Sequence, residues 1–106
     1  MYDRRARVMG HAYHDVIRPD ILDSMDRWGR DGVPTGDFLR AVMQDSLMEA
    51  MCRADDDNRA ALFWIVGYVC NELPLLCHGS PEKVKAWRDE HEAKRRAAIN
   101  VPAERT

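Results

Sequence analysis

The chain has 106 residues, of which 45% are hydrophobic, and 16 Lys and Arg against 18 Asp and Glu give a formal net charge of −2. This length suits one domain with a single core, and the charge excludes a strongly basic nucleic-acid-binding chain. The chain is too apolar to be disordered, yet no apolar run is long enough to span a bilayer. With no signal-peptide pattern and an odd number of cysteines, three, we expect a cytoplasmic protein.

Charge is unevenly distributed along the chain. Residues 1–18 contain four Arg against two Asp, residues 19–80 five Arg against eleven acids, and residues 81–106 seven Lys and Arg against five acids. Basic ends around an acidic middle favour self-association or an anionic partner held by the ends. The same pattern also arises from ordinary solvated helix faces.

The first two predicted helices occupy residues 2–15 and the segment after Pro19. Helical spacing within residues 2–15 is weakened by Gly10. The second helix begins near Pro19, which a first turn tolerates, and Gly29 and Gly32 end it. Its apolar residues are Ile21, Leu22, Met25 and Trp28, and those of the earlier segment are Tyr2, Ala6, Met9 and Tyr13.

The next predicted helix has the clearest amphipathic pattern in the chain. Thr35 is the predicted N-cap, and Asp37 is favourable in the first turn. Apolar residues then recur at steps of three and four, which predicts one helix with one buried face. They are Phe38, Leu39, Val42, Met43, Leu47, Ala50 and Met51.

A run of acidic residues, 55–57, followed by Asn58 precedes a more uniformly apolar helix. One of these Asp residues is the predicted cap, and Pro74 ends the helix. A helix that is apolar on more than one side lies at the centre of a bundle or is covered by a second subunit. The apolar stripe is Leu62, Ile65, Val66, Val69, Cys70 and Leu73, broadened by Phe63, Trp64 and Tyr68.

The last predicted helix begins at Ser80-Pro81-Glu82, with Val84, Trp87 and His91 facing inward. No segment has the alternating pattern of a strand. We therefore predict an all-α fold, a bundle of four to five helices in one domain over residues 1–100, with a flexible tail at 101–106. Because a short chain gains stability by sharing a core, we expect a homo-oligomer.

Residues suited to metal binding or catalysis do not form a complete set. His11 and His14 are three apart beside Asp15, but a closed zinc site needs four ligands, and the cysteines form no C-x-x-C pair. The chain also lacks a G-x-S-x-G motif, a Walker loop and a dinucleotide fingerprint. We predict no metal, no cofactor and no catalytic activity.

The most interesting candidate ligand site is the start of the last helix. A helix N-terminus attracts phosphate, and Ser80, Lys83 and Lys85 offer a hydroxyl and positive charge there. The other candidate residues are the aromatic Trp64, Tyr68 and Trp87, which can stack on a base, and the terminal Arg4 and Arg5. The alternative is an ordinary helix start with core tryptophans, since Glu82 repels an anion.

Several segments between Pro34 and Trp87 together resemble a family of small uncharacterised proteins of tailed bacteriophages and prophages. They are residues 34–42 (PTGDFLRAV), 47–50 (LMEA), 53–55 (RAD), 58–62 (NRAAL), Tyr68 with Asn71, and 79–84 (GSPEKV) up to Trp87. The resemblance implies an accessory role in a phage and a bacterial host cell. It implies no activity and no site residue.

Small phage accessory proteins commonly act by binding. Our first hypothesis is an anti-defence protein that sequesters a small anionic signalling nucleotide in a helical oligomer. The second is direct inhibition of a host defence protein or nuclease through Met, aromatic and acidic surface residues, with salt-sensitive association. A small DNA-binding regulator is third, disfavoured by the net charge and the lack of a basic recognition helix.

Overall fold

The computed structural model describes residues 13–105, and the side chains of residues 13–99. Residues 13–16 are helical. Six α-helices and one short 3-10 helix follow them: α1 Pro19–Asp31, α2 Asp37–Met43, α3 Leu47–Arg53, α4 Asp56–Ala60, α5 Leu62–Glu72, the 3-10 helix Leu75–Cys77, and α6 Pro81–Arg105. Most of the predicted first helix, residues 2–12, lies outside the described residues.

The all-α prediction is confirmed, since residues 13–105 contain no strand. The number of helices is higher than the predicted four to five, because two of the predicted helices are each divided in two. Within the same residues, no helix combines the length and the apolar character needed to cross a membrane.

Helix α1 begins at Pro19, as predicted, and ends at Gly32 in the left-handed region with φ 66°. The Gly32 N–H donates to the carbonyl of Trp28 at 3.0 Å. A Cβ at Gly32 would lie 2.4 Å from Cβ of His91, so this position also allows α6 to approach closely. Gly29 does not end the helix; it is buried inside it, against the side chain of Leu73.

The predicted single helix over Phe38–Met51 is wrong, because α2 ends at Met43 and α3 begins at Leu47. Asp45 has φ 64°, a left-handed conformation that Asp tolerates better than most residues. Its N–H donates to Val42 at 3.1 Å, and the Ser46 N–H donates to Ala41 at 2.9 Å. These two bonds form a Schellman motif, which satisfies the last carbonyls of α2 and turns the chain.

The predicted Thr35 cap is also wrong. Gly36 occupies the cap position of α2, and the Thr35 hydroxyl instead donates to the Gly36 carbonyl at 3.3 Å. The cap predicted among the acidic residues is confirmed at Asp55, whose carboxylate accepts the N–H of Asn58 at 2.9 Å. A turn at Ala61 then separates α4 from α5.

The core is centred on Trp28, which is 2% exposed. Its indole N–H donates to the carbonyl of Cys77 at 2.9 Å, and the indole N–H of Trp87 donates to the carbonyl of Trp28 at 2.8 Å. The Gly79 N–H donates to the carbonyl of Met43 at 2.7 Å. These bonds join α1, the end of α2, the 3-10 helix and α6.

Helix α6 has 25 residues and leaves the core part of the way along its length. His91 and Glu92 are half-buried, whereas residues 93–99 are exposed. The guanidinium of Arg95 donates to the carbonyl of Asp31 at 2.6 Å, the end of α1. The helix includes residues 101–105, for which we predicted a flexible tail; the flexibility of that segment stays a prediction.

Candidate functional site

The start of α6 uses most of its own hydrogen-bond donors. The Ser80 hydroxyl accepts the N–H of Lys83 at 3.1 Å, and the Ser80 carbonyl accepts the N–H of Val84 at 3.1 Å. Pro81 has no N–H to offer. In the first turn of α6, only the N–H of Glu82 therefore remains for an anion, and its own carboxylate opposes one.

Lys83 lies over the loop before α6 instead of extending into solvent. Its Nζ lies 3.3 Å from the point that a Cβ on Gly79 would occupy, and Gly79 has φ 122°. Nearby, Nε2 of His78 is a buried atom with no hydrogen-bond partner. Burial lowers the pKa of His78, the charge of Lys83 lowers it further, and Asp45 partly opposes both effects. The imidazole is therefore neutral at pH 7 and attracts no phosphate.

The predicted aromatic residues have structural contacts elsewhere. The Tyr68 hydroxyl donates to Oδ1 of Asp26 at 2.6 Å, and its ring meets Tyr13 edge-on at a centroid distance of 4.9 Å. Trp64 also meets Tyr13 edge-on at 6.4 Å. Trp87 packs against His91 at 4.7 Å and bonds to α1. None of these bonds or ring contacts joins an aromatic residue to Ser80 or Lys83.

The remaining predicted ligand-binding residues are Lys85, Arg4 and Arg5. The Nζ of Lys85 pairs with Oδ2 of Asp89 at 2.7 Å, one turn further along α6. Arg4 and Arg5 lie outside the described residues. The described structure thus does not assemble the predicted nucleotide site from these side chains.

Over residues 13–105, no three His, Cys, Asp or Glu side chains come close enough to hold a metal ion. His11 of the predicted His11–His14 pair falls outside that range. Cys52 and Cys70 are exposed, whereas Cys77 is buried, and burial raises the pKa of its thiol to about 11. A thiol with such a pKa is a poor nucleophile at neutral pH.

Helix α3 exposes its large apolar side chains. Leu47, Met48 and Met51, which we call the outer face of α3, are 61%, 80% and 42% exposed. The buried residue of this helix is Ala50. A helix of a monomeric protein normally turns such side chains inward, so the outer face of α3 has the character of a binding surface.

An open groove of about 490 Å³ lies between α1, α2, α3 and α4. The residues around it include two Arg and three Asp, the polar Ser24 and Asn58, and the apolar Ile21, Phe38 and Leu39; the charged ones are Asp20, Asp37, Asp55, Arg27 and Arg53. Gly36 leaves the groove open, since a Cβ there would meet nothing within 4 Å. The volume is in the range of small-molecule sites.

Asn58 is the buried polar residue of this groove, with 6% of its surface exposed. Sequence reasoning missed it because an Asn after three Asp indicates a helix cap. Its backbone does serve that cap, through the bond to Asp55. Only the division between α4 and α5, which the apolar pattern hides, makes clear that its side chain lines a groove.

Comparisons of the chain with protein families, with curated proteins and with solved structures found no match. The similarity to small phage proteins therefore stays a prediction. The functional argument depends on the surfaces of this chain alone.

Proposed function

We propose that this protein is a non-catalytic binding protein that acts by direct contact with another protein, through the outer face of α3. The observation that carries this proposal is the 80% exposure of Met48, between Leu47 and Met51 on a helix that buries only Ala50. Methionine side chains adapt to varied partner surfaces and are enriched at protein interfaces.

The surroundings of this face suggest the chemistry of the partner. Residues 19–80, which contain α3, have five Arg against eleven acids. Glu49 and Arg53 pair with each other at 3.1 Å beside the face, so they add no net charge. The expected partner presents an apolar pocket within a basic surface, as a nucleic-acid-cleaving or nucleic-acid-binding enzyme does.

The phage-like segments place this function in the cytoplasm of a bacterial host, where the partner would be a defence protein or nuclease. Sequestration of an anionic nucleotide ranks behind it, because the start of α6 offers a single N–H and a neutral His78. A homo-oligomer remains compatible with this proposal, since the same apolar face can pair with a second copy.

A capture experiment tests the proposal. The tagged full chain is incubated with bacterial host lysate at low and high salt, beside the variants Met48→Glu and Ile99→Glu. Ile99 is a matched control, because it is 74% exposed and lies at the far end of α6. We expect the wild type and Ile99→Glu to retain the same partner, more weakly at high salt, and Met48→Glu to lose it.

Light scattering of the three purified chains separates self-association from capture of a host protein. A dimer that Met48→Glu converts to a monomer assigns the face to a second copy. Equal capture by Met48→Glu and wild type contradicts the proposal, as does the absence of any specific partner.

A further inference from the structure

We propose that the groove between α1, α2, α3 and α4 binds an uncharged planar heterocycle of the adenine type, held by the side-chain amide of Asn58. The inference starts from a mismatch within the groove. Asn58 is 94% removed from solvent, yet no hydrogen bond of its side chain is found with any residue that the structure describes. A buried amide without partners costs free energy, which a ligand in the groove recovers.

The charged groups around the groove are already paired. Arg18 donates to Asp20 at 2.7 Å and to Asp55 at 2.9 Å, from just outside the lining. Asp37 accepts from Arg40 at 2.6 Å and from Arg53 at 3.3 Å. The remaining lining cation pairs with a carboxylate one turn away, Arg27 with Asp23 at 3.2 Å. The groove therefore presents no unpaired charge to a ligand.

The polar side chains left without a partner are neutral. They are the amide of Asn58 and the hydroxyl of Ser24, for which the described residues likewise provide no hydrogen bond. An amide presents a donor and an acceptor side by side. Adenine presents the complementary pair on one edge, and Asn binds that edge with two hydrogen bonds.

The apolar part of the groove suits a flat ring. Ile21, Phe38 and Leu39 line it beside Asn58, and the ring of Phe38 supplies an aromatic surface. Phosphate groups are disfavoured, because three carboxylates and two guanidinium groups surround the groove. Hydrogen bonds from the Asn58 N–H and then from Arg18 keep the pKa of Asp55 low, so its negative charge persists at neutral pH.

Calorimetric titration of the full chain with adenosine tests this inference. We expect saturable binding by the wild type, and a loss of roughly tenfold or more in affinity for Asn58→Ala, the amount that one bidentate pair discriminates. Purine riboside, which lacks the exocyclic amino group, should bind as weakly as adenosine binds the variant. ATP should bind more weakly than adenosine because of the surrounding carboxylates.

Two further variants keep the test interpretable. Ser24→Ala probes the second neutral group without touching a buried residue, and we expect a severalfold loss of affinity. Asn71→Ala is the matched control, since Asn71 lies on α5 outside the groove, and its affinity should equal that of the wild type. Circular dichroism shows whether each variant is folded.

Three outcomes overturn the inference: no adenosine binding up to millimolar concentration, unchanged affinity in both Asn58→Ala and Ser24→Ala, or tighter binding of ATP than of adenosine. Met48→Glu separates this inference from the proposed function. It should bind adenosine like the wild type even when it captures no protein partner.

Discussion

The hydrogen bond between Tyr68 and Asp26 ties the centre of α5 to α1. It measures 2.6 Å and is partly buried, and Tyr68 also supports Tyr13 through an edge-on ring contact. Burial, and then the hydrogen bond to Asp26, raises the pKa of Tyr68 above its usual value. The phenol therefore stabilises the fold as long as it stays protonated.

Tyr68→Phe should lower the free energy of unfolding by about 1–3 kcal/mol, because the hydrogen bond to a charged group is lost. Urea denaturation at pH 7 measures the difference. Since the pKa of Tyr68 is raised in the folded state, its contribution is complete below about pH 10 and decreases as the pH rises further. The gap between wild type and variant should therefore shrink at alkaline pH.

Asp26→Asn is the control for this prediction, because its amide oxygen still accepts the phenol hydrogen. It should lose less stability than Tyr68→Phe at pH 7. Equal stability of wild type and Tyr68→Phe, or a gap that widens above pH 10, would show that this bond does not stabilise the fold.

At the scale of elements, Asp45 determines where α2 stops and α3 starts. Its left-handed conformation, φ 64°, permits the two bonds that close α2. The turn separates Ala50, which is buried, from the exposed Met48 and Met51. The outer face of α3 exists because the helix does not continue straight from α2.

Asp45→Gly should raise the free energy of unfolding by about 1 kcal/mol, since glycine adopts the left-handed region without steric cost. Asp45→Val should lower it by a similar or larger amount, because a β-branched residue fits this region poorly. Thermal and urea denaturation of both variants measure the effect. A loss of stability in Asp45→Gly comparable to that in Asp45→Val would contradict this role of the backbone at Asp45.

The sequence predicted these elements well where a side chain or a proline acts locally. Pro19, Pro74 and Pro81 mark helix boundaries, and the capping carboxylate was found at Asp55. The two divisions were missed because the apolar spacing continues across them. Only tertiary packing decides that Ala50 faces inward while Leu47 and Met51 do not.

The candidate sites were less predictable for the same reason. Ser80 and Lys83 do lie together at the start of α6, yet they bond mainly to each other and to the loop. Nothing in the spacing of residues 55–58 shows that Asn58 lies against α1 and α2. That arrangement depends on contacts between distant segments, such as Arg18 with Asp55.

At the scale of the whole molecule, α6 has a packed first half and an exposed second half. Val84 and Trp87 lie on the core, and the bond from Arg95 to Asp31 is the farthest described link to α1. The principal extents of the chain, 51 × 30 × 23 Å, reflect an elongated shape. Stability should therefore depend on the first half of α6 alone.

Two truncations test this division. A chain that ends at residue 96 should lose helical circular dichroism but change its free energy of unfolding by less than about 0.5 kcal/mol. A chain that ends at residue 86 lacks Trp87 and should lose roughly 3–5 kcal/mol, the typical effect of removing a packed Trp side chain. Urea denaturation compares the two, and similar stabilities would contradict the division.

The bonds from Trp87 to Trp28 and from Trp28 to Cys77 give the protein an optical reporter of its own. An indole whose N–H is held by a carbonyl in a dry core emits at shorter wavelength than one in water, and Trp28 is 2% exposed. Release of α6 would break the first bond and hydrate both rings at once. Intrinsic fluorescence therefore follows the docking of α6 without any added label.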